Sequence, residues 1–366
     1  MPLAPLLVGL LVTGGAGAAD PPVRVDTSSA RVDVFTDEWV TVVAPSANLD
    51  LTLPRGWSVS GAWAADVISG ATPHITTDAI SSATSFHELR NGLSVDLQAA
   101  PKTTWSLHGS YAGSIESDFV SNTAGLGAKV DLLKRMASLR ADYHSRFETT
   151  GRADDRSYSE PASAQLLDLS WAWILGRGTV ATLLASGEWD ACSPALGCVA
   201  NPYRTVRTTQ GVVLPERHPD TRGRAAGALR LSQALGANTA VHGGYRYYAD
   251  SWRISGHTAD LSLARSLFKD ALVLRANGRF SRQGAAFFFG PEYDGTPAWR
   301  TGDRDLGALH TWKAGIAVEG SAYTLEGLSR LSLAANIDRL WLRQDDFAGD
   351  HSHDAWLVGG GLSAAF

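Results

Sequence analysis

The sequence predicts an all-β fold: a transmembrane antiparallel up-and-down β-barrel of about 16 strands, within a range of about 14–18, with short periplasmic turns and long extracellular loops. Three observations predict it. Long segments alternate apolar and polar residues, their connections alternate short and long, and the last residues, DAWLVGGGLSAAF, also alternate. The first observation indicates the strands, the second the up-and-down topology and the third the closure of the sheet.

The composition of the 366 residues fits one large β structure. The formal net charge is −5 and no basic run occurs, which argues against nucleic acid as a partner. Hydrophobic residues make up 44% of the chain, yet the mean hydropathy is −0.08, so apolar residues are interleaved with polar ones. After residue 19 no stretch approaches the roughly 18 apolar residues of a membrane-spanning helix.

The first 19 residues have the pattern of a secretory signal peptide. Leu3 to Val12 form a short apolar core, and Ala16-Gly17-Ala18-Ala19 supplies small residues for signal peptidase. No Lys or Arg precedes the core, which leaves a buried N-terminal helix as the alternative, although the glycines disfavour it. The predicted boundaries are 1–19 for the signal peptide, 20–30 for a short periplasmic segment and 31–366 for the barrel, with a first strand at Arg31–Asp37.

The alternating segments have the length of membrane strands. Segment 165–173 places Leu167, Leu169 and Trp171 on one face and polar residues on the other, and the same pattern runs through 57–69, 104–116, 138–148, 272–283 and 331–341. Segments of about ten residues suit a tilted strand that crosses a bilayer, whereas globular strands average about five or six. Aromatic residues near the strand ends match interface girdles.

The connections alternate in length along the chain. Short turns are predicted at 54–57, 100–102, 134–135, 176–178, 235–238 and 268–270. Long loops are predicted at 70–85, 116–122, 149–163, 190–222, 250–254, 285–303 and 343–354. An even number of strands places both termini at the rim with the short turns, which is periplasmic in outer-membrane barrels.

The final segment is predicted to pair with the first strand, because lipid tolerates no open sheet edge. A terminal aromatic on an alternating strand resembles the signal that outer-membrane assembly machinery reads. Gly361 and Phe366 fit that signal, whereas Ala364 stands where an aromatic residue is preferred.

The polar faces of the strands carry many charges of both signs. Because a charge facing lipid costs about 2–4 kcal/mol for Arg or Lys at the midplane, these residues are expected inside the barrel. They could form a structural lattice that stiffens the wall, or a polar pore whose charges set selectivity. The pore-lining candidates are Asp66, Glu88, Arg90, Asp96, His108, Glu116, Lys129, Asp131, Arg140, Asp142, His144, Arg146, Asp168, Arg230, Arg246, Asp250, Arg275, Arg279 and Asp338.

Three loop features suggest further sites. Cys192 and Cys198 are predicted to form a small disulfide in an exported protein, with a metal pair as the alternative. The loop DDFAGDHSHD could hold a divalent metal, although its spacing matches no defined motif and Asp and His are ordinary loop residues; its candidate ligands are Asp345, Asp346, Asp350, His351 and His353. The loop DAISSATSFHE contains Ser81, Ser82 and His87, which would suit an outer-membrane hydrolase, but Ser-rich loops are common.

Several clusters resemble a known family. They are DVISGATPHITTDAISSATSFHELRN (66–91), ESDFVSN (116–122), NPYRTV (201–206), LPERHPDTRGRAAGALRL (214–231), YRYYADSWRISGHTADLSL (245–263), GRFSRQGAAFFFGPEYD (278–294) and TGDRDL (301–306). Together they are similar to the proteobacterial outer-membrane barrel family called domain of unknown function 3570. The resemblance implies a membrane barrel without an established activity, and its neighbouring genes imply cell-envelope redox work.

The sequence therefore predicts an outer-membrane protein of a Gram-negative bacterium that is a porin-like channel for small hydrophilic solutes. The alternative is a non-enzymatic scaffold or conduit for a cell-envelope redox or secretion complex, followed by a hydrolase. We expect no enzymatic activity and no cofactor. The expected partners are outer-membrane lipid and lipopolysaccharide, the assembly machinery, and a periplasmic redox protein or lipoprotein.

Overall fold

A computed structural model describes residues 23–38, 40–71, 85–102, 104–199, 201–322, 328–345 and 352–366. Sixteen of its eighteen strands form a closed antiparallel barrel, and β10 and β11 form a separate hairpin. The strands are β1 (Arg24–Thr36), β2 (Val40–Leu53), β3 (Trp57–Ala71), β4 (Ser85–Lys102), β5 (Trp105–Ile115), β6 (Phe119–Leu132), β7 (Ala137–Gly151), β8 (Ser159–Gly176), β9 (Thr179–Cys192), β10 (Thr205–Arg207), β11 (Val213–Pro215), β12 (Thr221–Ala234), β13 (Thr239–Asp250), β14 (Ser255–Leu267), β15 (Leu272–Gln283), β16 (Leu309–Ala322), β17 (Arg330–Gln344) and β18 (Ser352–Ala365).

Pairing of the first strand with the last closes the barrel. Val34 lies opposite Val358 and Ala30 opposite Leu362 in an antiparallel register. The predicted all-β barrel and its strand number are confirmed. The short and long connections alternate as predicted at the turn between β2 and β3 and at the long loop between β15 and β16. The loops predicted at 116–122 and 250–254 are instead as short as the turns, because β6 begins at Phe119 soon after Ile115 and β14 begins at Ser255 soon after Asp250.

The first strand is longer than predicted. It begins at Arg24, so the boundary at Arg31 was wrong and most of the segment 20–30 that was separated from the barrel lies in β1. The polar run from Thr27 to Ser29 hides this strand in the sequence. Backbone pairing on both sides, with β2 and β18, holds it in the sheet instead of an apolar face.

The two faces of the sheet differ in chemistry around the whole circumference. In the register, Tyr143 lies opposite Leu167, Leu167 opposite Gly187, and Leu183 opposite Leu229. Large apolar side chains on this face are highly exposed, including Leu126 at 73% and Ile316 at 62%. An exposed apolar belt of this extent marks a surface that contacts lipid.

The opposite face is the concave, inner one. His108 of β5 contacts Asp142 of β7 across the intervening β6, where Gly127 leaves room. Arg31 of β1 contacts Asn336 of β17 across β18 in the same way, over Gly359. Only on the concave face do side chains of non-adjacent strands converge. Within the described ranges, no helix is long and apolar enough to cross a membrane.

Candidate functional site

The register places every predicted pore-lining residue on the inner face or in line with it. Glu116 directly follows β5, and for Glu88 the structure describes only the backbone. The others are Asp66, Arg90, Asp96, His108, Lys129, Asp131, Arg140, Asp142, His144, Arg146, Asp168, Arg230, Arg246, Asp250, Arg275, Arg279 and Asp338. Many of these charged side chains fall into two groups, according to whether an oppositely charged side chain lies close to them.

In the first group each charge has an opposite charge close by. Arg140 binds Asp142 through Nε at 2.7 Å, and Asp142 also contacts His108. Lys129 lies 3.4 Å from Asp131. The same pattern holds for two further pairs: Arg90 lies 3.4 Å from Glu116, and Lys313 lies 3.7 Å from Asp338. These pairs have the form of the structural lattice, because each charge is compensated by a neighbour on the same wall.

The densest network lies at the long-loop end of β7, β9 and β12. Arg146 contacts Glu188 at 2.6 Å and Asp190 at 3.5 Å. Arg224 contacts Glu188 at 3.1 Å and Asp190 at 2.6 Å. The Asp190 side chain is only 6% exposed, so its charge depends on the two arginines.

A second buried carboxylate anchors the adjoining β12–β13 corner. The Asp250 side chain is fully buried and accepts from Arg222 Nη2 at 2.6 Å. Its other oxygen accepts from the backbone N–H groups of Trp252 and Ile254 at 3.0 and 2.9 Å. The predicted pore-lining residues did not include Arg222 and Asp190, although the alternation along β12 and β9 places both on the inner face.

The second group consists of four inward arginines, Arg230, Arg246, Arg275 and Arg279, which we call the arginine wall. They lie on β12, β13 and β15, which are three of the four neighbouring strands β12–β15. All four arginines are exposed. Within the described ranges none of them has a carboxylate within 4.0 Å; Arg246 contacts only the ring of Tyr248, at 5.4 Å from its centroid.

Asp260 of β14 is the nearest carboxylate in register, opposite Arg279. Its side chain leans over Gly244 of β13, where a Cβ would lie 2.6 Å from its Oδ1, and so points away from Arg279. A structural lattice would pair these charges. Asp260 therefore leans toward Arg230, which lies opposite Gly244, but no ion pair forms. Among the described residues, the arginine wall thus presents positive charge without a bound carboxylate to the interior of the barrel.

Two long loops join above this interior. We call residues 193–220, between β9 and β12, and residues 284–308, between β15 and β16, the mouth bridge. The Glu216 carboxylate accepts from Thr301 Oγ1 at 2.9 Å and from the Gly302 N–H at 2.8 Å, and Thr301 is fully buried. The Arg300 Nε donates to the Pro215 carbonyl at 2.8 Å, and Arg204 forms an ion pair with Asp303.

The mouth bridge also reaches the far side of the same rim, the one formed by the long loops. The Tyr203 hydroxyl donates to Asp118, in the turn between β5 and β6, at 2.8 Å. Arg152, in the loop between β7 and β8, donates to the Pro202 carbonyl at 3.4 Å and lies 5.0 Å above the Tyr203 ring. Since β5–β6 and β15–β16 are on opposite sides of the closed strand order, the two loops span the mouth.

A small apolar core holds the mouth bridge against the inner wall. Trp252, Ile254, Phe288 and Leu306 pack together, and Tyr248, an inward residue of β13, contacts them. His218 packs edge-on against Trp252 at 5.4 Å, and its Nδ1–H donates to the Cys198 carbonyl at 2.9 Å. Cys192 and Cys198 form a disulfide at the root of the loop.

Burial shifts ionisation within the mouth bridge. It raises the pKa of Tyr293 to about 12, because the phenol is enclosed and bonds the Phe288 and Thr301 carbonyls at 2.7 and 2.9 Å. Burial, with the nearby charge of Asp303, also raises the pKa of Asp305. Burial alone would lower the pKa of Arg204, but the ion pair with Asp303 outweighs it and raises that pKa.

The other predicted site residues are only partly described. Asp346, Asp350 and His351 lie outside the described residues, while Asp345 is 3.5 Å from His310 and His353 is 2.6 Å from Arg304. In the described part of the chain no group of three or more His, Cys, Asp or Glu side chains could hold a metal. Ser81, Ser82 and the His87 side chain also lie outside it.

The two residues of the predicted assembly signal lie on or next to the closing strand. Gly361 lies opposite Arg31 in β18, and the Phe366 N–H donates to the Asp26 carbonyl at 3.1 Å. The Phe366 side chain is 48% exposed. Their role in assembly stays a prediction.

Comparison with solved structures finds other barrels. A bacterial polysaccharide outer-membrane secretin is similar with a TM-score of 0.50 and 8% identity, over 93% of this chain and 98% of that one. Pseudomonas aeruginosa OccK2 (OpdF), solved with glucuronate, has a TM-score of 0.47 and 9% identity, over 93% and 98%. The siderophore receptor PirA of the same organism has a TM-score of 0.48 and 10% identity over 94% of this chain, which spans 62% of its length. At these identities the likeness is one of fold.

A comparison with curated proteins finds no significant match. Residues 192–334 match the model of the family described as "Protein of unknown function (DUF3570)", which confirms the resemblance seen in the sequence. The matched segment includes the whole mouth bridge and the whole arginine wall. A closed barrel with an apolar outer belt belongs in the outer membrane of a Gram-negative bacterium. The chain is thus a sixteen-strand outer-membrane β-barrel whose segment 192–334 matches the model of the DUF3570 family.

Proposed function

We propose that the protein is a channel for small hydrophilic solutes, with a preference for anions. The arginine wall is the observation that carries this proposal. Four exposed arginines without a carboxylate partner are not needed to compensate other charges, so they are available to a solute. A barrel of about 16 strands is wide enough to leave an aqueous channel.

The opposite wall carries negative charge, which would orient a solute in the channel and does not add to the preference for anions. Strands β2 to β5 face the arginine wall across the strand order, and they carry the inward carboxylates Asp50, Asp66 and Asp96. Positive charge on one side and negative charge on the other create a transverse field inside the lumen. Such a field orients a small polar solute, and a low-dielectric surround strengthens it.

The experiment is single-channel recording in planar bilayers with a salt gradient. Wild-type protein should give stable conductance steps and a reversal potential on the anion-selective side. Replacing Arg230, Arg246, Arg275 and Arg279 by Gln should lower the anion-to-cation permeability ratio by at least about twofold per arginine, since one charge about 8 Å from an ion in water is worth about 0.5 kcal/mol.

Arg265→Gln is the matched control, because Arg265 lies on the outward face of β14, opposite Leu274. It should leave the permeability ratio unchanged. Unchanged selectivity in the quadruple variant would remove the arginine wall from the mechanism, and persistent silence of folded wild-type protein would overturn the channel itself.

A second candidate function rests on the mouth bridge. Loops that are bonded across the opening favour a closed barrel that serves as a scaffold or conduit for a cell-envelope complex. That function predicts no conductance in folded protein and co-purification of a periplasmic redox protein, lipoprotein or secretion component. Deleting residues 199–215 distinguishes the two, because opening the bridge should raise the conductance of a channel and leave a filled barrel silent.

A further inference from the structure

The outer wall is not uniformly apolar. Among the described side chains, the outward positions of β2–β9, β12 and β13 hold no charged residue and no histidine. Outward charges and histidines gather on β14–β18 instead: His257, Arg265, Arg282, His310, Arg339, Arg343 and Asp354. Because outward charge is costly in lipid, this grouping needs a reason.

Four of these residues form one continuous row. His257 lies opposite Arg282, Arg282 opposite His310, and His310 opposite Arg343, on β14 to β17 at the long-loop ends of the strands. We call them the basic row. Arg282 and Arg343 are exposed, and neither has a hydrogen-bond or ion-pair partner among the described residues.

Among the described residues, the neighbours of the basic row do not compensate the charges of its two arginines. Asp345 lies 3.5 Å from His310, and the His257 Nδ1 is 2.6 Å from the Tyr245 hydroxyl, so both histidines are occupied. Arg339 is neutralised by Asp354 at 2.6 Å and stacks 4.7 Å above Trp356. Positive charge is therefore concentrated at Arg282 and Arg343.

An aromatic row marks the depth of the basic row in the membrane. Phe280, Trp312 and Trp341 lie opposite one another two positions further from the long-loop rim, and the first two rings are 4.3 Å apart. Aromatic girdles mark the boundary between hydrocarbon and headgroups. The basic row thus lies at headgroup level on the side of the long loops, which face the outside.

Below the aromatic row the same strands carry an apolar groove of about 470 Å³. Its lining includes Leu263, Leu274, Ile316, Val318 and Ile337 on outward positions. An acyl chain fits such a groove, since its outward walls are aliphatic and exposed apart from Arg265 at the short-turn end. From the long-loop rim downward, β14–β17 therefore present first a row of positive charge, then the aromatic row, and then the aliphatic groove.

We propose that the basic row binds the phosphates of a lipid A-type phosphorylated glycolipid in the outer leaflet, with its acyl chains over the groove. Arg282 and Arg343 supply planar guanidinium donors that match phosphate geometry. A zwitterionic phospholipid offers less net charge and would bind more weakly. The site lies on the outer wall and does not depend on what passes through the lumen.

The test titrates full-length protein in detergent with lipid A, followed by native mass spectrometry. The double variant Arg282→Gln/Arg343→Gln should lose affinity for lipid A by at least about tenfold, as expected for two lost charge-assisted contacts. Arg177→Gln, at an exposed arginine in the short turn between β8 and β9, away from both the basic row and the groove, should bind like wild type. Heat-dependent migration in gels verifies that each variant is folded.

Three results would overturn the proposal. They are equal binding of lipid A by the folded double variant, an equal loss in Arg177→Gln, and equal binding of dephosphorylated lipid A by wild type. Phosphatidylglycerol is the second lipid arm. If it binds as tightly as lipid A and with the same sensitivity to the double variant, the site recognises any anionic headgroup and the glycolipid assignment is wrong.

Discussion

The ion-pair network of Arg146, Arg224, Glu188 and Asp190, which we call the mouth network, lies on the same inner face as the arginine wall and partly on the same strands. The charges of the mouth network are paired, whereas those of the arginine wall, within the described part of the chain, are not. Arg224 and Arg230 lie on β12, both pointing inward. Arg224 contacts Glu188 and Asp190, whereas Arg230 is exposed and has no ion-pair partner among the described residues. The difference shows which inward charges build the protein and which are available for its work.

The physical reason for the difference is access of water. The mouth bridge packs over the inner wall near Tyr248 and Arg222, and the carboxylates of Asp190 and Asp250 beneath it are 6% and 0% exposed. A buried charge without a partner costs several kcal/mol, so these carboxylates require arginines. The arginine wall is exposed, and water can solvate each guanidinium there.

The largest effect should come from breaking the mouth network. Arg224→Ala removes one of the two cations shared by Glu188 and Asp190 and should destabilise the folded barrel by about 3 kcal/mol. Arg230→Ala, on the same strand and face, should change stability by no more than about 0.5 kcal/mol. Urea unfolding in detergent, followed by tryptophan fluorescence, measures both. Equal losses would show that the wall is as structural as the network.

Reduction of the disulfide tests whether the mouth bridge is a separate unit. Opening the Cys192–Cys198 link should destabilise the loop 193–220 by about 2 kcal/mol. Protease cleavage within that loop should then be about 30-fold faster, because cleavage follows the open population. The barrel strands should stay resistant. A Cys192→Ser/Cys198→Ser variant should behave alike without reductant, and an unchanged cleavage rate would show that the link does not hold the bridge.

The smallest effect concerns Tyr293, whose hydroxyl accepts from the Thr301 N–H at 2.7 Å and donates to carbonyls of the bridge. Tyr293→Phe should cost the bridge about 1 kcal/mol. Burial raises the pKa of this phenol to about 12 from 10.0. A raised pKa means that its contribution is complete below the unfolded value, near pH 10, and is lost as the pH rises through about 12.

Near-ultraviolet circular dichroism from about pH 9 to about pH 12 measures that loss. Wild-type protein should lose the signal of the bridge over this range, and the Phe variant should lose less of it. Arg230→Ala is the control, since it should keep the wild-type profile. Identical profiles for wild type and Tyr293→Phe would show that another group governs the alkaline transition.

Much of the architecture was determined by the sequence itself. Alternation of Leu167, Leu169 and Trp171 with polar neighbours specifies a strand with one lipid face, because side chains alternate across a sheet. The same parity identifies Arg230, Arg275 and Arg279 as inward. The start of β1 was missed because Thr27 to Ser29 have no apolar face and are held by backbone pairing and by side-chain hydrogen bonds to β2.

Only the tertiary structure decided which of the inward charges are paired and where the loops go. Parity assigns Arg224 and Arg230 to the same face, but the partners of Arg224 come from β9, and Asp260 turns from Arg279 toward Gly244. Nothing local to Tyr203, Glu216 or Thr301 indicates a bridge across the mouth. Side-chain period depends on the strand alone, whereas ion pairs and loop contacts depend on which distant strands the closed sheet brings together.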